Sequence, residues 1–382
     1  MKRGPSIEIS LDNIRHNYEY ARGLSNNRPL IAVVKADAYG HGAVRVATLL
    51  EGCGVFCLGV AFSSEAIQLR EAGITASIMV FFDTPDITEV IRYALIPVIS
   101  DAGYARALSD MALRHNIQVG VHIKVDTGMG RFGLVYDIDE EKIKALTTLT
   151  GIKITGFMSH FSEADLVDMN FANIQLERFA ALRARLMALS VEDYAGRYGG
   201  VLWHIANSAA TMHLAPAHLD AIRPGLMLYG YDPLREDNPN LRPAMTVKCR
   251  ILDIRRLPAG RSVGYGRTFE TRRETLVGVI GTGYADGLPR GLSNRGHVIV
   301  NGGLAPIIGR VCMDVSMVDL TDVINSADGE STPRECLLLG KQGSTALWAT
   351  HLASAANTIS YEILTSLGRT PEKTFTYQTS GR

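Results

Sequence analysis

The rhythm of the chain changes near residue 230, and that change limits the fold more than any other feature. Before it, short apolar runs alternate with helical segments; after it, strand follows strand. The runs fall at 31–35, 56–61, 77–81, 96–100, 119–126, 154–160, 202–207 and 221–228. They have the length and the β-branched content of buried strands. Between them, stretches such as 63–72, 101–115 and 170–189 carry amphipathic helical spacing. Eight strands alternating with helices over about 250 residues is the pattern of a (β/α)8 TIM-type barrel. A doubly wound open sheet is the competitor, but no Gly-x-Gly-x-x-Gly follows the first strand.

The segment 230–240 is rich in Pro, Asn and Asp and reads as a linker. Beyond it, strands are expected at 245–257, 276–282, 297–301, 306–320 and 336–339, and a single clear helix at 346–357. The reading is therefore a barrel over 1–238 and a mainly β domain over 239–382. An alternating strand at about 5–11, followed by a helix over 12–22, is free to pair with the second domain.

Composition narrows the partners. Lys plus Arg equals Asp plus Glu, 39 against 39, so no charged face points to nucleic acid or to an anionic membrane. The five cysteines include no Cys-x-x-Cys pair, and the ten histidines form no metal-type spacing. Reduced thiols and no structural metal are expected. The N-terminus lacks an apolar signal core and no apolar run is long enough to span a bilayer, so a cytoplasmic protein is expected.

Chemistry in barrels gathers at the C-terminal ends of the strands. Here those ends carry Lys35 with Tyr39 beyond it, Asp126 leading to Arg131, His160, Asn207 with Ser208, and Arg223 before Gly225 and Leu226. Burial of Lys35 would lower its pKa and leave an amine able to attack a carbonyl; a lysine reaching out to solvent is the plain alternative. His122, Lys124 and Asp126 alternate along one strand and so share a face. Lys124 there must pair with an acid such as Asp126, lose its charge, or find an anion. Ser208 opens a helix and serves either as its cap or, with Gly225 and Leu226, as part of a phosphate site.

Longer motifs carry a resemblance. Ala-Val-Val-Lys-Ala-Asp-Ala-Tyr-Gly-His-Gly at 32–42, Asp-Thr-Gly-Met-Gly-Arg-Phe-Gly at 126–133 and Ser-His-Phe-Ser-Glu-Ala-Asp at 159–165 begin the set. His-Ile-Ala-Asn-Ser-Ala at 204–209 and Ile-Arg-Pro-Gly-Leu-Met-Leu-Tyr-Gly at 222–230 complete the barrel. In the second domain the set continues at 262–268, 283–290, 309–314 and 359–364. Across nearly its whole length the chain resembles the bacterial alanine racemases, which depend on pyridoxal 5'-phosphate (PLP). The ending at 368–375 follows that family only loosely.

The resemblance implies roles. Lys35 holds PLP as a Schiff base and then acts as one of two bases. Tyr39, Asn207, Ser208, Gly225, Leu226, Tyr361 and Arg131 contact the cofactor, and Arg223 faces its ring nitrogen. An arginine there keeps its proton, so the ring nitrogen stays unprotonated and the electron sink is weakened. Tyr265 is the second base, supported by His160 and supplied by the other subunit of a homodimer. Arg131 and Met313 receive the substrate carboxylate. Tyr284, Asp165, Arg290 and Arg310 line the corridor into the site, and Lys124 matches a position that is often carbamylated. The implied reaction interconverts L- and D-alanine for peptidoglycan. A racemase for serine or for a broader set of amino acids, and a PLP decarboxylase on the same barrel, are the alternatives.

Overall fold

A computed structural model describes residues 4–188, 200–324, 333–370 and 373–377. Seven parallel strands follow one another around a barrel: Ile31–Val33, Cys57–Val60, Ile78–Val80, Leu95–Ile99, Val119–Asp126, Ile152–Met158 and Leu202–His204. Their apolar runs are almost wholly buried because helices cover the outside and side chains fill the inside. The helix Asn170–Ala188, for example, lays Phe179 on Trp203, which itself stacks on Phe157 at 4.3 Å. The predicted end of that helix, Leu189, lies outside the described residues.

Two glycines make the interior packable. A Cβ on Gly59 would sit 2.4 Å from the Phe81 ring, and one on Gly156 would sit 2.2 Å from the His122 ring. Small residues on one strand thus admit large ones from the next layer.

The eighth predicted strand is corrected. Instead of a strand over 221–228, only Ile222 bridges to Leu30, and the 3-10 turn Leu226–Tyr229 follows. Pro224 has no N–H to give a ladder, and Gly225 breaks the run. The barrel still closes, through Ile31 N to Ile222 O (2.9 Å), Val33 N to Pro224 O (3.0 Å) and Arg223 N to Ala206 O (2.9 Å).

The long strand Met245–Leu257 is the spine of the second sheet. It pairs antiparallel with Glu335–Gln342, with Thr275–Ile280 and with the N-terminal strand Ser6–Ser10. Ser6–Ser10 also pairs parallel with Lys373–Thr376, so both chain ends share this sheet.

Two further expectations are corrected. The run 306–320 is not one strand: Gly309, at φ +73°, lets it fold back, so that Ile308 N reaches Met317 O, and Gly303–Pro306 and Ser316–Asp319 are separate. The helix Ala349–Ala356 is followed by a second, Ser360–Leu367, that the sequence reading lacks. Left-handed Asn357 ends the first, and only three residues separate it from the second.

Candidate active site

At the mouth of the barrel the chain leaves the first strand and enters four consecutive left-handed residues. Ala36, Asp37, Ala38 and Tyr39 have φ of 52–55°. None is glycine, so each costs roughly 1–2 kcal/mol. Hydrogen bonds hold the turn at both ends. Glu65 Oε1 accepts from Ala36 N (2.6 Å), and Asp37 accepts from Ala43 N (2.7 Å) and from Lys373 Nζ (2.8 Å). Gly40 then packs against the missed helix Ser360–Leu367, where a Cβ would lie 2.6 Å from Leu364 O. That contact brings the Tyr361 ring to 5.9 Å from Tyr39.

The turn projects Lys35 into a cavity of about 150 Å³. The same cavity is lined by Tyr39, Arg131, His160, Asn207, Ser208, Arg223, Gly225, Leu226 and Tyr361. Ten residues singled out from sequence therefore meet in one place. Burial, and then the Arg131 guanidinium, lower the Lys35 pKa. Lys35 Nζ and Arg131 Cζ lie 5.1 and 5.0 Å from the centroid of one ring, Phe82. Phe82 was missed, although it stands just beyond the end of the third predicted strand, where the strand-end rule applies.

Arg223 is buried, and no carboxylate pairs with it among the described residues. Burial pushes it down to about 9, still charged at neutral pH. Its hydrogens fix the histidines around it, because a guanidinium can only donate. Nη1 donates to His204 Nδ1 (2.6 Å), so His204 keeps its hydrogen on Nε2 and donates it to His122 Nδ1 (2.7 Å). Nη2 donates to Ser159 O (2.6 Å), to Ile205 O (3.1 Å) and, longer, to His160 Nδ1 (3.4 Å). Burial, reinforced by Arg223, drives His122 down to about 3 and His160 and His204 well below the usual range. All three are neutral. His160 therefore presents Nε2–H. The sequence reading places only His160 here; His122 enters it as part of a shared strand face, and His204 only within the motif at 204–209.

Ser208 is not the cap of its helix. Asn207 is, accepting from Ala210 N (3.0 Å), while Ser208 Oγ accepts from Gly225 N (2.9 Å) and Met227 N (3.2 Å). A Cβ on Gly225 would lie 2.4 Å from Tyr39 Oη, so only glycine lets that hydroxyl lie against the backbone. Burial pushes the Tyr39 and Tyr361 phenols up, which keeps both as donors. Hydroxyls and backbone N–H groups around a glycine cradle suit a phosphate.

Lys124 lies within the barrel with no hydrogen bond to its Nζ, and burial, then Arg223, push it down to about 7. It is not paired with Asp126, whose carboxylate instead accepts from Gly128, Met129 and Gly130 N in the loop leading to Arg131.

Tyr265, Tyr284 and Met313 do not line this cavity. They lie in the second domain and are 73, 45 and 53% exposed. They form a separate surface group: Tyr284 N donates to Cys312 O (3.0 Å), and Ala285 N to Met313 O (3.0 Å). A Cβ on Gly266 would lie 3.2 Å from Arg310 Cζ, and Arg290, also exposed, starts a 3-10 turn. Asp165 lines a second cavity, of about 340 Å³, which shares Leu226 and Tyr361 with the first.

A lysine whose pKa burial lowers, beside a phosphate-type cradle on a barrel joined to a β domain, fits the class of barrel enzymes that bind a phosphorylated aldehyde. The family model for the alanine racemase N-terminal domain matches residues 9–233, and that for the C-terminal domain matches 244–375. The chain belongs to the alanine racemase family. It is 46% identical over 372 residues to alanine racemase of Thermodesulfovibrio yellowstonii, covering 96% of each chain. The structure of alanine racemase from D-cycloserine-producing Streptomyces lavendulae superposes with a TM-score of 0.89 at 32% identity, covering 98% of each chain. Alanine racemase from Bartonella henselae, described with covalently bound pyridoxal phosphate, gives 0.84 at 28% identity, covering 99% of this chain and 100% of that one.

Proposed function

We propose that the chain is a PLP-dependent racemase that interconverts L- and D-alanine, using sites shared between two copies of itself. The observation that carries the reading is the convergence on one cavity of Lys35, Arg223, His160 and the Ser208–Gly225 cradle. PLP, when bound, supplies an electron-withdrawing ring that makes the α-hydrogen of an amino acid acidic. Lys35 would hold the cofactor through Nζ. Tyr39, Ser208, Tyr361 and the backbone of Gly225 and Leu226 would hold its phosphate, with Asn207 beside them, and Arg223 would meet its ring nitrogen.

Lys35, with its lowered pKa, removes or returns a proton on one face of the alanine α-carbon. Tyr265 does so on the other, from a second copy of the chain, because its exposed position outside the cavity leaves it available to a partner. His160 Nε2–H points the hydrogen bond that holds the tyrosine oxygen. Arg131 and the Met313 N–H receive the substrate carboxylate, while Tyr284, Asp165, Arg290 and Arg310 form the approach. Lys124, without a partner and half neutral near pH 7, takes up carbon dioxide as a carbamate and releases a proton, which sets an anion beside Arg131. The D-alanine formed supplies peptidoglycan synthesis in the cytoplasm.

Borohydride reduction of the PLP-loaded protein should abolish a visible absorbance band and fix label on Lys35. Lys35→Ala and Tyr265→Phe should each be inactive, yet regain activity when mixed and re-paired. Colourless protein that takes up no PLP would end this reading, and failure of the mixture to recover would end the shared-site part of it.

A further inference from the structure

We propose that Glu65 is a positioning residue for Lys35; the inference rests on Lys35 being the reactive amine. Glu65 is the third residue of the helix Ser63–Glu71, and its Oε2 accepts from Ala61 N (2.7 Å) and Phe62 N (3.2 Å). Those bonds are an ordinary helix start. The second oxygen does something a helix start does not require. Oε1 crosses to the neighbouring βα turn and accepts from Ala36 N at 2.6 Å, on the peptide that follows Lys35.

Ala36 is the first of the four left-handed residues. Asp37, through Ala43 N and Lys373, holds the far end of that turn, so Glu65 fixes the near end, where the lysine leaves the strand. The carboxylate also supplies charge. Burial and Arg131 both disfavour the Lys35 ammonium, and Glu65 is the group that favours it. One side chain therefore sets the direction of Lys35 and moderates its basicity, while tying the loop after the second strand to the loop after the first.

Glu65→Gln offers a single acceptor oxygen and no charge. In the full chain without added PLP, the pH profile for acylation of Lys35 should shift to lower pH. With PLP bound, kcat for alanine should fall on the order of tenfold to a hundredfold, with KM moving less than about twofold. Glu65→Asp keeps the charge but is one methylene too short to serve both loops. It should hold the melting midpoint and still lose kcat. If both variants keep the parental Lys35 profile and kcat while melting earlier, Glu65 is a helix cap only and the proposal fails. Parent protein that binds no PLP would sink the racemase reading alone, because the labelling profile still decides the role of Glu65.

Discussion

Gly40→Ala tests how the lysine-bearing turn is held. Gly40 stands at φ +81°, where an alanine costs roughly 1–2 kcal/mol. Its new Cβ would lie 2.6 Å from Leu364 O and 2.8 Å from Gly368 Cα. Both neighbours are backbone, so relief requires the helix Ser360–Leu367 to move as a body, a change worth about 1–3 kcal/mol. The stiffer unfolded chain gives back about 0.4–1 kcal/mol. A net loss of about 2–4 kcal/mol is expected, read as a lower urea midpoint with an unchanged slope. Gly368→Ala makes the reciprocal clash, 2.4 Å from Gly40 Cα, at an ordinary φ of −68°. One displacement of the helix relieves both clashes, so the double variant should lose less than the sum of the single ones. Because the helix carries Tyr361, PLP retention should weaken in parallel. A Gly40→Ala midpoint within about 0.5 kcal/mol of the parent, or full additivity, would refute this account of the contact.

Other outcomes follow from the same geometry. Lys124 has a folded pKa of about 7, below the ordinary lysine value of ~10.4, so between the two the unfolded chain binds the extra proton and stability rises with pH. Lys124→Met should flatten that rise in bicarbonate-free buffer, and labelled bicarbonate should give a carbamate signal in the parent but not in the variant. Gly156→Ala places a Cβ 2.3 Å from His122 Nδ1, the atom that accepts from His204, and should cost about 2–3 kcal/mol by thermal melting. Phe82→Leu removes the ring face shared by Lys35 and Arg131 and should lower kcat/KM for alanine up to about tenfold in a standard racemisation assay.

Much of the site was legible because its residues stand at strand ends inside long motifs. Lys35, Arg131, His160 and Arg223 needed only the strand periodicity and the rule that barrel chemistry collects at one face. What escaped has specific causes. The left-handed turn at 36–39 contains alanine, aspartate and tyrosine, so no glycine signalled it. Glu65 sits where any helix would place a first-turn acid, and nothing local says that its second oxygen crosses to Ala36. Tyr361 was named by resemblance alone, since the sequence reading places no helix over Ser360–Leu367.

By itself the sequence determined the alternation of strand and helix, the switch to a β domain and the placing of Lys35 at the end of the first barrel strand. These are local properties, written in periodicity and residue type over a few turns of chain. Tertiary structure alone decided that Ile222–Pro224 closes the barrel by scattered bonds and not by a ladder. It also decided that Ser208 serves Gly225 rather than its own helix, and that Arg223 fixes the tautomers of His204 and His122. Tyr265 stands outside the cavity for the same kind of reason. Each depends on which distant segments come into register, and the energy that sets register is shared among contacts hundreds of residues apart.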